Sequence, residues 1–101
     1  MNDPIAMLKA DHPDYDRALQ YLNRAVRTTP SDADLYFMLG KTYFAMGRYA
    51  ESADNLRKAT QLGSNSSLVY YQLGRALEKQ GRDAEAKQQF ETVRLLKSIG
   101  Q

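Results

Sequence analysis

The apolar positions of this chain follow the spacing of an α-helix, and the same arrangement returns later in the sequence. Tyr36, Leu39, Gly40 and Tyr43 fall at i, i+3, i+4 and i+7, which places them on one face of a helix. Residues 70–77 repeat this order as Tyr, Leu, Gly and Leu. Repetition at a fixed period indicates an array of similar structural units.

Each unit divides at a central glycine into two helical patterns, so the chain is expected to be all-α. Gly47 and Gly81 follow the first helix of their units, where a residue in the left-handed conformation commonly ends a helix. Ser31 and Asn65 are the expected N-caps of the first helices, and Asp34 would complete a capping box with Ser31. The six predicted helices span residues 4–10, 14–28, 32–46, 49–62, 66–80 and 83–98.

Small residues stand on the same apolar stripes as large ones: Gly40 and Gly74 in the first helices, and Ala18, Ser52 and Ala86 in the second. They let facing helices approach closely, while large neighbours fill the space beside them. One helix pair cannot bury its own apolar face, so the pairs must stack. The chain is therefore predicted to be one domain over residues 1–101, with a partial first unit (1–32), a second unit (33–66) and a third unit (67–101).

This pattern resembles the tetratricopeptide repeat family from residue 14 to about residue 97. That family has a 34-residue unit with Leu-Gly and then Tyr in its first helix, and Ala, a bulky apolar residue and Ala in its second. Units two and three follow this order, whereas Pro13 replaces the glycine expected in unit one. The resemblance implies a short right-handed α-solenoid of antiparallel helix pairs, with non-enzymatic protein–protein interaction as its function.

Composition and charge narrow the classes of function. The 101 residues include 14 basic and 12 acidic ones, and the net charge of +2 is too balanced to favour nucleic acid or an anionic membrane. The lack of cysteine excludes disulfides and thiol catalysis. His12 lies beside Pro13 and is interpreted as a surface histidine, so no catalytic residue, metal ligand or cofactor is expected. No signal peptide and no bilayer-spanning segment are predicted, which favours the cytoplasm if the chain is full length.

The resemblance also implies a ligand site, because the first helices of such repeats line a concave surface. The residues of these helices that are free of packing roles are Asp34, Phe37, Met38, Lys41, Phe44 and Ala45 in unit two, and Leu68, Tyr71, Gln72, Arg75, Glu78 and Lys79 in unit three. Lys41 is equivalent to Arg75, and Phe37 to Tyr71. Cations beside aromatic rings suit a peptide with an apolar anchor and an acidic group. The alternative is that Phe37 and Phe44 pack against neighbouring helices.

The family's best-known ligand site is a clamp of Lys, Asn and Arg for the C-terminal carboxylates of heat-shock chaperones. In unit two Phe37 replaces the clamp's Lys and Lys41 replaces its Asn, while Gln72 is the nearest match in unit three. Binding of chaperone C-termini is therefore not predicted.

Three hypotheses of function follow. The first is a module that binds a peptide or protein segment in the groove. The second is an assembly unit that stacks end to end with itself or with further repeats of a larger protein, through Leu95, Leu96 and Ile99, and this hypothesis predicts weak self-association. The third, RNA binding, is disfavoured by the nearly neutral charge.

Overall fold

The computed structural model describes residues 14–100 and contains five α-helices joined by short turns. The helices are α1 (Asp14–Thr28), α2 (Ala33–Ala45), α3 (Tyr49–Gln61), α4 (Ser67–Lys79) and α5 (Asp83–Ser98). No residue in the described range lies in a β-strand, so the prediction of an all-α fold is confirmed. These five helices begin and end within one residue of the predicted bounds. The remaining predicted helix, 4–10, lies outside the described residues.

The helices pack in chain order as a row of hairpins. α2 packs against α3 and α4 packs against α5, so the second and third units each form one helix pair. α1 packs on α2, α3 packs on α4, and α2 also contacts α4. As a result α3 lies between two neighbours, whereas the backbone of α5 packs against α4 alone among the described helices.

The turn inside each unit has the same geometry in both copies. Gly47 and Gly81 both have a φ of +78°, a left-handed conformation that glycine adopts without strain. The amides of Gly47 and Arg48 donate to the carbonyls of Phe44 and Tyr43 at 2.9 Å, and the same two bonds recur in the turn of the third unit. The predicted glycine stops are therefore confirmed.

The N-caps of the first helices differ from the prediction: they are Asp32 and Ser66, not Ser31 and Asn65. Asp32 and Ser66 have an extended backbone, and each side chain accepts a hydrogen bond from the amide two residues further on, at 2.9 and 3.2 Å. A cap oxygen reaches these amides from the residue directly before the helix. The capping box between Ser31 and Asp34 is therefore wrong, since Ser31 lies one residue too early.

The second helices begin with an ion pair in place of a side-chain cap. Arg48 and Arg82 occupy the N-cap positions of α3 and α5 without donating or accepting a side-chain capping bond. Their guanidinium groups bind Glu51 and Glu85 in the first turn, at 2.6 and 2.9 Å. The hydrogen bond from Arg48 lowers the pKa of Glu51 and raises the pKa of Arg48. The repeated Gly-Arg-x-Ala-Glu segment thus ends one helix and starts the next.

The buried side chains form two clusters. The larger cluster joins α3, α4 and α5, the smaller joins α1 and α2, and Tyr36 packs against both. Their buried members are Ala53, Leu56, Ala59, Val69, Leu73, Ala76, Leu77 and Ala86 in the larger cluster, and Leu19, Leu22 and Leu39 in the smaller.

Small residues allow the paired helices to touch. A β-carbon at Gly40 would lie 2.5 Å from Cγ of Leu56, and one at Gly74 would lie 2.5 Å from Cε1 of Phe90. Ser52 is fully buried and donates a hydrogen bond from Oγ to the carbonyl oxygen of Gly40, at 2.7 Å. The prediction that small residues bring the paired helices close together is confirmed at these positions.

Candidate functional site

The candidate ligand residues lie on α2 and α4, the first helices of units two and three, which contact each other. Asp34, Met38, Lys41, Ala45, Leu68, Tyr71, Glu78 and Lys79 are exposed, and Phe37, Phe44, Gln72 and Arg75 are half-buried. Met38, Leu68 and Tyr71 expose 47, 55 and 44% of their surface. The two helices therefore present both apolar and charged groups to solvent, and we refer to this surface as the α2–α4 face.

Two equivalent cations lie over different rings. Lys41 Nζ is 5.1 Å from the ring centre of Phe37, one turn earlier on its own helix. The guanidinium carbon of Arg75 is 5.1 Å from the ring centre of Phe44, which belongs to the preceding unit. At these distances the face of each ring attracts the cation without neutralising its charge. Arg75 thus contributes to the contact between units, whereas Lys41 lies over a ring of its own helix.

Tyr49, at the start of α3, extends this arrangement. Its ring meets the ring of Phe44 edge-on at 5.1 Å between centres, and Lys79 Nζ lies 5.9 Å from its centre. Arg75, Phe44, Tyr49 and Lys79 therefore form a continuous row across the boundary between units two and three. Sequence reasoning missed Tyr49 because it belongs to a second helix, although Tyr15 stands at the equivalent position of unit one.

Part of the aromatic surface serves the core. Phe37 and Phe44 pack against the larger hydrophobic cluster, as the alternative interpretation of these rings expected. Both rings are only half-buried, so part of each still faces solvent. Tyr71, the equivalent of Phe37, lies against Phe90 of α5 instead, with 5.9 Å between ring centres. The large apolar side chains that remain accessible on the α2–α4 face are Met38, Leu68 and Tyr71.

The cations of the α2–α4 face form no ion pair with any residue in the range 14–100. The four ion pairs in that range are Arg48–Glu51, Arg57–Glu85, Arg82–Glu85 and Arg94–Glu91, and all of them lie on α3, on α5 or at the start of these helices. Lys41, Arg75 and Lys79 therefore keep their charge available to an anionic group.

The predicted end-on residues lie on α5. Leu95 and Ile99 expose 65 and 72% of their surface, while Leu96 is half-buried. Gln61 and Asn65, the equivalents of Leu95 and Ile99 in unit two, are exposed as well, although unit three packs onto unit two. Exposure alone therefore does not place Leu95 and Ile99 on the side of α5 that a further unit would contact.

Two of the depressions on the described part of the chain are shallow and lie beside these helices. One of about 210 Å³ lies between α4 and α5, lined by Ser67, Leu68, Tyr71, Val93 and Lys97. The other, of about 290 Å³, follows α1 and is lined by Tyr21, Arg24, Ala25, Thr28 and Thr29. Among residues 14–100, no group of His, Cys, Asp or Glu has an arrangement that could hold a metal ion. None of the five described helices is long and apolar enough to cross a membrane.

Stacked helix pairs with a fixed sequence period, glycines at the helix contacts and a left-handed glycine in each turn define a helical-repeat protein. The sequence matches the tetratricopeptide repeat family over residues 5–67 and again over residues 37–94. The chain therefore belongs to the tetratricopeptide repeat (TPR) family, as the sequence resemblance predicted.

Three similar proteins illustrate this membership. Superkiller complex protein 3 from Mus musculus is 25% identical over 79 residues, which cover 78% of this chain and 5% of that protein. The second TPR of Spaghetti (RPAP3), bound to the HSP90 peptide SRMEEVD, is 28% identical with a TM-score of 0.79, over 87% of this chain and 82% of that one. MamA AMB-1 shares the fold at a TM-score of 0.81 and 24% identity, over 94% of this chain and 52% of that one. The chain thus spans a small part of the mouse protein and about half of MamA.

Proposed function

We propose that this chain is a non-enzymatic interaction module that binds a peptide or an extended protein segment along the α2–α4 face. Helical-repeat proteins use such surfaces to bind other proteins. The observation that carries the proposal is the set of cations Lys41, Arg75 and Lys79, which lie over aromatic rings and form no ion pair within residues 14–100. Met38 and Tyr71 add exposed apolar surface beside them.

The order of groups along α4 indicates the chemistry of the ligand. Leu68 and Tyr71 lie in the first turns of the helix, and Arg75 and Lys79 lie in the later turns. At about 1.5 Å per residue, Tyr71 and Lys79 are about 12 Å apart along the axis. An extended peptide covers that distance in about four residues. The proposed ligand therefore carries an apolar side chain and, about four residues away, an acidic one.

A similar protein supports a ligand of this general kind. The second TPR of RPAP3 binds SRMEEVD, a peptide that combines apolar and acidic residues. In this chain Phe37 and Lys41 replace residues of the family's carboxylate clamp. The proposed ligand is therefore an acidic segment held by Lys41, Arg75 and Lys79, and a chaperone C-terminus is not proposed.

A peptide series with one leucine and one glutamate, separated by one to six neutral residues, tests this proposal. Fluorescence anisotropy should give the highest affinity with about three intervening residues, which places the glutamate about four positions from the leucine. Peptides with lysine in place of the glutamate should bind weakly at every spacing, because the cations of the α2–α4 face would repel them.

Charge reversal locates the site. Lys41→Glu combined with Arg75→Glu should weaken binding of the best peptide about tenfold or more, while the circular dichroism of the helices stays unchanged. The matched control reverses Lys58 and Arg24, which are exposed cations on α3 and α1, and Lys58 also lies over a ring, that of Tyr36. Unaltered affinity in the first double variant would move the site to another face.

The second candidate function is end-on assembly through Leu95, Leu96 and Ile99. The partial exposure of Phe90 and Val93 on the same helix favours it, because their equivalents in unit two, Leu56 and Ala59, are fully buried. Sedimentation velocity over a wide range of concentrations tests it. An increase of the sedimentation coefficient with concentration would support assembly through this part of α5 if Leu95→Glu abolished it. A monomer at every concentration would remove the case for it.

A further inference from the structure

The surface by which unit two contacts unit three occurs a second time on the far side of unit three. The backbone of α3 packs against both α2 and α4, whereas the backbone of α5 packs against α4 alone among the helices of residues 14–100. Leu56 and Ala59 of α3 are both 0% exposed. Their equivalents in unit three, Phe90 and Val93 of α5, are only half-buried. The apolar groups of a unit interface are therefore present on α5 without a helix from the described residues to cover them.

Two residues of α4 complete this surface. Tyr71 lies against Phe90 and is 44% exposed, and Leu68 is 55% exposed. Both line the depression of about 210 Å³ between α4 and α5, together with Val93. Phe37, the equivalent of Tyr71, packs against the cluster that unit three completes. We call Leu68, Tyr71, Phe90 and Val93 the end surface.

The helix that covers the matching surface of unit two shows what shape fits. It is α4, whose Val69, Leu73 and Ala76 are 3, 1 and 0% exposed and fall at i, i+4 and i+7. These three side chains belong to the same buried cluster as Leu56 and Ala59. A helix with one narrow stripe of small and medium apolar side chains is therefore complementary to this type of surface.

Charge distinguishes the end surface from its counterpart in unit two. Lys87 stands where unit two has Ala53, which is 2% exposed, and Lys97 stands where unit two has Gly63. Both lysines are exposed, and neither forms an ion pair within residues 14–100. A second copy that offered the same surface would bring these lysines together, which repulsion disfavours. Complementarity favours a different chain with acidic residues beside its apolar stripe.

We propose that the end surface binds an amphipathic helix of a partner protein, with apolar residues at i, i+4 and i+7 and acidic residues beside them. The helix would lie on α4 and α5 as α4 lies on α3. This ligand is helical and lies on the third unit, whereas the ligand proposed for the α2–α4 face is extended. Although Leu68 and Tyr71 border both surfaces, the two proposals can therefore succeed or fail separately.

Two stapled helical peptides test the proposal. Both carry Val, Leu and Ala at i, i+4 and i+7, and the flanking positions are glutamate in one peptide and lysine in the other. In fluorescence anisotropy at one ionic strength, the glutamate helix should bind about tenfold more tightly than the lysine helix. Equal binding of the two helices, or tighter binding of the lysine helix, would overturn the proposal.

Variants locate the contact. Lys87→Glu with Lys97→Glu should reverse the preference between the two helices, and both residues are exposed, so this variant should keep the fold. Val93→Glu should weaken binding of the glutamate helix about tenfold, because it places a charge in the depression. Leu95→Glu is the matched control on the same helix, since Leu95 does not line the depression, and it should leave binding unchanged.

Two outcomes would assign the binding elsewhere. If Lys41→Glu weakened binding of the glutamate helix and the double lysine variant did not, the helix would bind the α2–α4 face, and the end surface would be excluded. If the protein formed a dimer in sedimentation that Val93→Glu dissociated, a second copy would be the occupant, and the partner helix would be excluded.

Discussion

Replacing Gly40 by alanine tests how closely α2 and α3 pack. The added β-carbon would lie 2.5 Å from Cγ and 2.6 Å from Cδ2 of Leu56, and 3.3 Å from the carbonyl oxygen of Ser52. Leu56 is 0% exposed, so its side chain has no open space to move into. The substitution should therefore force the two helices apart and destabilise the second unit.

Two opposing effects set the size of this destabilisation. Alanine is favoured over glycine inside a helix by about 0.5–1 kcal/mol. Overpacking of a filled core site costs about 1–3 kcal/mol. The contact at Gly40 involves a fully buried neighbour, so the cost should lie in the upper half of that range, and the net loss should be about 1–2 kcal/mol. For a chain of this size such a loss lowers Tm by about 5–15 °C.

Two other glycines separate crowding from backbone strain. At Gly74 the added carbon would meet Cε1 of Phe90 at 2.5 Å, but Phe90 is half-buried and therefore less confined than the fully buried Leu56. Gly74→Ala should therefore stay within about 1 kcal/mol of the parent. At Gly47 nothing lies within 4 Å of the added carbon, yet its φ of +78° is unfavourable for alanine. Gly47→Ala thus measures the backbone cost alone, about 1–2 kcal/mol.

Urea unfolding followed by circular dichroism gives the free energy of unfolding of each variant. Leu56→Ala identifies the source of the effect, because it removes the atoms that the new β-carbon would meet. Gly40→Ala with Leu56→Ala should be more stable than the sum of the single effects predicts, by about 1 kcal/mol or more. If Gly40→Ala were as stable as the parent, or if the two effects simply added, the packing of α2 on α3 through Leu56 would be wrong.

Three further substitutions test individual polar groups. Gln80→Met should stabilise the protein by about 1 kcal/mol or more, because Gln80 Oε1 is buried without a hydrogen-bond partner within residues 14–100, and Met46 is its equivalent in unit two. A lower Tm of this variant would contradict that interpretation. Glu51→Gln should reduce the free energy of unfolding at neutral pH, because Arg48 lowers the pKa of Glu51 below the usual 4.5. In urea unfolding measured across pH, the stability difference from the parent should be complete above pH 4.5 and should disappear as the pH falls through the lowered pKa. Ser52→Ala should cost about 1 kcal/mol or less by thermal unfolding, because one buried hydrogen bond is lost and alanine still fits; a loss of several kcal/mol would show that the bond holds α2 against α3.

The helices were predictable because their signals are local. The spacing of apolar residues and the glycines at 47 and 81 determine where the helices lie and where the first ones stop. The N-caps were harder to predict, since Ser31 and Asp32 are adjacent residues that both favour this position. The structure decides between them, because Asp32 has the extended backbone of an N-cap and accepts the capping hydrogen bond.

The candidate site was predictable as a face but not as a set of contacts. The repeat places Lys41 and Arg75 at equivalent positions, yet the ring under Arg75 comes from the preceding unit. A sequence period relates a residue to its counterpart in the next unit, and it carries no information on which side chain of a neighbouring helix lies beside it. Tyr49 and Val93 were missed for the same reason. Tyr49 contacts Phe44 and Lys79 of the two first helices, and Val93 lines the depression between α4 and α5.

The identical turns at Gly47 and Gly81 have a consequence for how such a chain can grow. Inserting one residue into either turn would disrupt the two backbone hydrogen bonds that close it and would change how the second helix meets the first. A duplication of one whole unit that joins chains between residues 62 and 66 leaves each turn, each Arg-Glu pair and each glycine contact intact. The unit boundary is therefore the place where a whole unit can be added or exchanged without a change inside any unit.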